Sequence, residues 1–125
     1  MAYRPDPATG LVIGCAIEVH KALGPGLLES VYQPCLAYEL TIRGVSYAQQ
    51  VPLPVVYKGM PADCGYRLDL VIEDRLIVEV KCVDRLLPLH DAQLLTYLRL
   101  YGASRGLLIN FNVPRLVDGV RSLVL

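Results

Sequence analysis

A regular alternation of apolar and polar side chains extends from residue 66 to residue 81 and is interrupted once, by the charged triplet Glu73-Asp74-Arg75. Two segments of period two around a short polar triplet are typical of a β-hairpin. If the triplet forms the loop, Ile72 pairs with Leu76. This register determines every other pairing in the hairpin, because a slip of one residue would turn all side chains to the opposite face.

The predicted hairpin brings two carboxylates together. In this register Asp69 faces Glu79 and Arg67 faces Lys81, and Glu79 and Lys81 share a face because they are two residues apart. Like charges directly across a ladder are destabilising, and a divalent cation between them would relieve the repulsion. Asp69 and Glu79 are therefore candidate ligands of Mg²⁺ or Mn²⁺, and Lys81 is a candidate for orienting or deprotonating an attacking water.

The length of 125 residues predicts one domain over residues 9–125, preceded by a loose tail over residues 1–8, which contains two prolines. Hydrophobic residues make up 54% of the chain, but no apolar run approaches the ~18–20 residues of a membrane span. The N-terminal residues lack the pattern of a secretion signal. We therefore expect a cytoplasmic protein with no membrane contact, and the high apolar content predicts a homodimer.

The formal net charge is zero, whereas proteins that coat nucleic acid nonspecifically are usually basic. Any contact with DNA or RNA is therefore expected to be weak or local. The chain has four scattered cysteines without the spacing of a zinc or iron–sulfur site, so they are interpreted as small core residues. They are Cys15, Cys35, Cys64 and Cys82.

Periodicity predicts an α/β fold with the element order α-α-β-β-β-α-β and a mixed sheet flanked by helices. Thr9 is the expected N-cap of the first helix, and Gly44 and Gly102 follow the second and third helices. Pro52 and Pro54 suit an edge strand. The strand–helix–strand step after residue 76 favours a parallel pairing. The predicted helices span about 9–23, 28–43 and 89–101, and the predicted extended segments span 46–51, 53–57, 66–81, 105–110 and 120–125.

Other polar side chains have helical spacings that would bring them to one face. Glu29 precedes Tyr32 by three residues, and Gln93 precedes Tyr97 by four. Each pattern also has a purely structural interpretation, in which the hairpin charges form a solvated face with cross-strand ion pairs and Glu29 simply stabilises a helix N-terminus. His20, near the end of the first helix, is better explained by the helix dipole than by catalysis.

Taken in order, these residues resemble a known family. Gly26-Leu-Leu-Glu29-Ser-Val-Tyr32 is similar to the pattern of the GxxExxY proteins, a branch of the PD-(D/E)XK nuclease superfamily, and the spacing of Asp69, Glu79-Val-Lys81 and Gln93–Tyr97 resembles its RecB-like members. The resemblance implies that Asp69 and Glu79, with a backbone carbonyl near Val80, hold Mg²⁺ or Mn²⁺. It also implies that Lys81 assists the water, Glu29 supports the metal shell, and Gln93 and Tyr97 orient the site or the substrate.

The sequence thus predicts a metal-dependent, nuclease-like protein that hydrolyses phosphodiester bonds in DNA or RNA. The alternative is a noncatalytic module that uses a nuclease fold for nucleic-acid binding or protein assembly. A third hypothesis, a small-molecule enzyme with the same carboxylates, requires a deep apolar pocket.

Overall fold

A five-stranded mixed sheet in the order β1-β4-β5-β6-β7 forms the centre of the computed structural model, which describes residues 6–62 and 65–125. Helices cover both of its faces, so the predicted α/β class is confirmed. The elements are α1 (Pro7–Leu23), α2 (Glu29–Ile42), β1 (Tyr47–Pro52), β2 (Val55–Tyr57), β3 (Met60–Ala62), β4 (Arg67–Ile72), β5 (Leu76–Lys81), α3 (Pro88–Tyr101), β6 (Arg105–Asn110), a 3₁₀ turn (Leu116–Gly119) and β7 (Val120–Val124).

Helix α1 begins two residues earlier than predicted. The N-cap is Asp6 rather than Thr9, because the Asp6 carboxylate accepts hydrogen bonds from both the backbone N–H and the hydroxyl of Thr9. Pro7 occupies the first turn, where its missing N–H costs nothing. Pro7 and Ala8 therefore belong to the helix and not to a tail. The rest of the predicted tail, residues 1–5, lies outside the described residues.

The β4–β5 hairpin has the predicted register next to its turn, from Ile72–Leu76 to Leu70–Val78. The two pairs expected farther from the turn, Asp69–Glu79 and Arg67–Lys81, are not part of the ladder. Glu73 and Asp74 adopt φ angles of 51° and 57°, the left-handed conformation that the central residues of a tight hairpin turn require. Strand β6 pairs in parallel with β5, as the strand–helix–strand pattern predicted, and β7 adds an antiparallel edge. Strand β1 forms the other edge, in agreement with its prolines.

A second, two-stranded sheet was not predicted. The turn at Lys58 and Gly59, with φ angles of 49° and 81°, reverses the chain so that β3 pairs with β2. The sequence indicated the turn. Met60–Ala62 was not predicted as a strand, because it has only three residues and one of them is a proline. Pro61 is tolerated because both strands of this small sheet are edges.

The core is divided by the central sheet into two layers. One layer packs α1 and α2 against a sheet face built from residues such as Leu70, Val78 and Ile109. The other packs α3 against the opposite face through Leu94, Leu98 and Leu108. Within residues 6–62 and 65–125, no helix is long and apolar enough to cross a membrane.

The cysteines fit the core interpretation in part. Cys15 is buried, and Cys35 and Cys82 are half-buried; all three are free thiols. Cys64 lies outside the described residues.

Candidate functional site

Strand β4 is irregular at Asp69. Its pairing with β5 stops at Leu70–Val78, and its pairing with β1 omits Asp69, where the facing Gln50 has a left-handed φ of 50°. Residues two apart in a regular strand share a face, yet Leu70 packs in the layer of α1 and α2 whereas Leu68 packs in the layer of α3. The side chains of β4 therefore switch faces of the sheet at Asp69.

Side chains replace the missing ladder bonds at this position. The backbone N–H of Val80 donates to Oδ2 of Asp69 at 2.8 Å, and the backbone N–H of Asp69 donates to Oε2 of Glu79 at 3.0 Å. On the side of α2, Nε2 of Gln33 donates to the backbone carbonyl of Asp69 at 3.3 Å. Each carboxyl group is thus held across the gap between β4 and β5 by a backbone N–H of the opposite strand.

Glu79 is almost fully enclosed, with 5% of its surface exposed, whereas Asp69 is half-buried. Burial first, and then the charge of Asp69 and a hydrogen bond with its carboxyl group, raise the pKa of Glu79 to about 9. The backbone N–H of Asp69 and the charge of Lys81 act in the opposite direction without cancelling this effect. At neutral pH and without a cation, Glu79 is therefore protonated, and a divalent cation supplies the positive charge that the proton otherwise provides.

Lys81 ends β5 on a rigid backbone. Its carbonyl accepts a hydrogen bond from the N–H of Phe111 at 2.9 Å, and its neighbour in β6 is Asn110. The buried Asn110 amide bonds the N–H and the C=O of Val83 at 3.1 and 2.9 Å. Among residues 6–62 and 65–125, no carboxylate forms an ion pair with the Lys81 ammonium group.

Glu29 lies near the end of β5 but apart from the carboxyl pair. It is exposed in the first turn of α2. The pKa of the Cys82 thiol is raised to about 11, first by the burial of Cys82 and second by the negative charge of Glu29. Over the described ranges, no group of three or more histidine, cysteine, aspartate or glutamate side chains is arranged to hold a metal. Glu29 therefore does not join Asp69 and Glu79 in one cluster.

Tyr32, the last residue of the Gly26–Tyr32 pattern, has a structural explanation. It is fully buried, and its ring stacks on Phe111 with a centroid distance of 4.5 Å. Its hydroxyl donates to the carbonyl of Gly24 and accepts from the N–H of Leu27. Tyr32 thus stabilises the turn from Gly24 to Leu27, which precedes α2, and positions the start of that helix.

On α3, Gln93 and Tyr97 line a surface depression of about 370 Å³ together with Tyr66. Burial, and then the charge of Glu79, raise the pKa of Tyr97, with smaller effects of Tyr66 and Asp69. Tyr97 is therefore electrostatically coupled to the carboxyl pair. Neither Asp69 nor Glu29 is among the residues that line this depression.

The two histidines have local structural partners. Nε2 of His20 lies 2.8 Å from the carbonyl of Val113, which ties α1 to the segment after β6. Nδ1 of His90 accepts the N–H of Leu87 and caps α3.

Three residues near the pair were not singled out from sequence: Gln33, Gln50 and Tyr66. Gln33 carries one usable signal, since it follows Glu29 by four residues and so shares its helix face. The positive φ of Gln50 has no signal in the residue type, because glutamine rarely adopts that conformation.

A sequence model of the PD-(D/E)XK nuclease superfamily matches residues 6–123. The chain therefore belongs to this superfamily, and the mixed sheet with flanking helices is consistent with its fold. Membership supports a nuclease-like function, contact with nucleic acid and the use of a divalent metal, which is typical of these nucleases. Comparisons with curated proteins and with solved structures gave no significant match.

Proposed function

We propose that the protein is a Mg²⁺- or Mn²⁺-dependent nuclease that hydrolyses phosphodiester bonds in nucleic acid. The observation that carries this proposal is the pair Asp69–Glu79, held across the opened β4–β5 ladder with Glu79 enclosed and its pKa raised to about 9. A buried acidic pair is costly for folding and is most readily retained where a cation binds.

The donor set fits a hard cation. Asp69 and Glu79 offer carboxylate oxygens, the Val80 carbonyl is a third candidate, and water and phosphate oxygens would complete the shell that Mg²⁺ prefers. When bound, the cation polarises the phosphate and lowers the pKa of a water. Lys81, which lies two residues after Glu79 and is free of ion pairs within the described ranges, orients that water or neutralises charge on the phosphate.

The remaining roles follow from the superfamily resemblance and the contacts of each residue. Gln93 and Tyr97 orient the site or the substrate from α3, and Glu29, in the first turn of α2, supports the metal shell. The pattern from Gly26 to Tyr32 supports assignment to the GxxExxY branch. We further propose that the protein functions in the cytoplasm as a homodimer, and that residues 9–125, together with Pro7 and Ala8 of α1, form one domain.

Two measurements test the metal-dependent activity. Mg²⁺ or Mn²⁺ should raise the melting temperature of the wild-type protein, because the ion binds the folded state, and should support cleavage of DNA or RNA. Lys81→Ala should keep the metal-induced stabilisation but lose about 10²–10³ in rate, as is common when one electrostatic group is removed. Asp69→Asn should weaken both the metal-induced stabilisation and the cleavage.

Lys21→Ala is the matched control, because Lys21 is an exposed lysine on α1 whose ion pair with Glu18 lies far in sequence from the site. It should cleave as the wild type does. If neither metal stabilises the protein and no single- or double-stranded DNA or RNA is cut, the noncatalytic binding module becomes the better hypothesis.

A further inference from the structure

Tyr66 is an exposed aromatic residue at the start of the strand that carries Asp69, and the proposed chemistry does not use it. It immediately precedes β4, three residues before Asp69, and 48% of its surface is exposed. Its ring centroid lies 6.0 Å from that of Tyr97, with the planes inclined by 52°. Tyr97 in turn feels the charges of Glu79 and Asp69. The Tyr66 ring therefore lies against Tyr97 on α3, and its own strand reaches Asp69 three residues later.

The depression next to Tyr66 has the chemistry of a base-binding site. Its walls are mainly apolar, including Leu89 and Leu100, while Gln93 and Thr96 add an amide and a hydroxyl. Aromatic rings bind any nucleobase by stacking, and polar side chains at the edge of such a site bond the base edges. The volume of about 370 Å³ is open to solvent on one side, as a site for a strand passing over the surface requires.

The residue that follows Tyr66 in the chain is a cation. Arg67 is exposed, and it lines a second depression of about 310 Å³ together with Tyr66 and Pro54. Within the ranges 6–62 and 65–125, its guanidinium group bonds only the carbonyl of Tyr66 and forms no ion pair. It is therefore available to a phosphate of a bound strand.

The charge of the whole chain favours a substrate held by stacking. With a formal net charge of zero, the chain has no excess of the basic residues that dominate binding to duplex phosphates. A base in a duplex hides its faces in the stack, whereas a base in a single strand exposes them.

We propose that Tyr66 stacks a nucleobase next to the phosphodiester at the carboxyl pair, so that the substrate of this site is single-stranded nucleic acid. This inference rests on the proposed function only for the position of the phosphate. The binding itself requires no cleavage and is measured without it.

The test is the equilibrium binding of fluorescently labelled single-stranded DNA and RNA oligonucleotides, and of the matching duplexes, in EDTA and in the Lys81→Ala background. Tyr66→Ala should weaken binding of a single strand about 5- to 150-fold, the value expected for one stacked base. Tyr66→Phe should retain the affinity, because the ring is kept. Comparing the DNA strand with the RNA strand shows which of the two sugars the site accepts.

Tyr57→Ala is the matched control, since Tyr57 is also an exposed tyrosine, at 62%, and lines neither depression. Circular dichroism establishes that each variant is folded. The inference is overturned if folded Tyr66→Ala binds single strands as tightly as Tyr57→Ala does, if duplex binds better than single strand, or if the wild type binds no single strand. Loss of cleavage with retained Tyr66-dependent binding would refute the nuclease activity but not this site.

Discussion

At the scale of single residues, the carboxyl group of Glu79 is the least conventional feature of the chain. An enclosed glutamate next to an aspartate is held in place by one backbone N–H and by proximity to Lys81. Because the charged form is disfavoured by burial and by Asp69, the folded protein takes up a proton that the unfolded chain releases at ordinary pH. The stability of the metal-free protein therefore depends on pH.

We expect the metal-free wild type to lose stability as the pH rises from about 5 to 9. The ordinary pKa of a glutamate is 4.5, and the pKa of Glu79 in the folded protein is raised to about 9. Between these two pKa values the folded state binds one more proton than the unfolded state. The contribution of Glu79 to the free energy of unfolding is therefore complete below pH 4.5 and is lost as the pH rises through about 9. The loss amounts to at most about 1.4 kcal/mol per pH unit. Glu79→Gln removes the titration and should flatten the curve in thermal melts recorded in EDTA.

The exposed turn residue Glu73 provides the control for this experiment. Glu73→Gln should follow the wild-type pH dependence. Equal slopes for wild type and Glu79→Gln would show that Glu79 is ionised without a cation and would contradict the assigned protonation state.

At the scale of elements, the segment after β6 is held by close backbone contacts. Gly119 ends the 3₁₀ turn, and a β-carbon at this position would overlap the backbone oxygen of Asn110 and press on Val113. The same stretch is bonded to α1 through His20. The packing of α1, the 3₁₀ turn and the end of β6 therefore depends on a glycine.

Gly119→Ala should destabilise the protein by about 1–3 kcal/mol, the range typical of overpacking, because a backbone oxygen cannot rotate away as a side chain can. The matched substitution is Gly10→Ala in α1, where a new β-carbon meets nothing within 4 Å. That variant should gain about 0.5–1 kcal/mol, since alanine favours the helix over glycine. Denaturant unfolding measures both, and a neutral Gly119→Ala would show that the turn can move.

At the scale of the whole molecule, the outer surface of α1 and α2 is unusually apolar. Exposed side chains there include Leu23, Leu28, Tyr38 and Ile42, and a groove of about 310 Å³ lies between the two helices. Exposed apolar surface of this kind often marks a protein–protein contact. It is the surface on which the proposed homodimer is best placed.

We predict that light scattering gives the mass of a dimer and that Tyr38→Lys, with a side chain now 67% exposed, shifts the protein to the monomer. A buried, unpaired lysine in the contact would cost several kcal/mol. Val56→Lys, at a residue of 60% exposure on the small β2–β3 sheet, should stay dimeric. A monomer mass for the wild type over a wide concentration range would refute the homodimer.

Much of the fold was predictable from the sequence because it depends on neighbours along the chain. The hairpin register follows from alternation around a turn, and the parallel β5–β6 pair follows from a strand, a helix and a strand in short succession. The ends of α2 and α3 follow from Gly44 and Gly102, whose φ angles of 70° and 89° suit glycine. Periodicity also predicted Asp69 opposite Glu79, and the structure joins the two through the N–H of Asp69 and the Glu79 carboxyl group, not through ladder bonds.

The arrangement of the site itself depends on the tertiary structure. The opening of β4 at Asp69 follows from bonds with Val80 and Gln33, 11 and 36 residues away in sequence, and no local pattern encodes such contacts. The enclosure of Glu79, the separation of Glu29 from it and the meeting of Tyr66 with Tyr97 depend on how two helical layers pack on the sheet. Sequence thus determined which groups are adjacent on strands, and only packing decided which are buried and charged, because desolvation is a property of the whole fold.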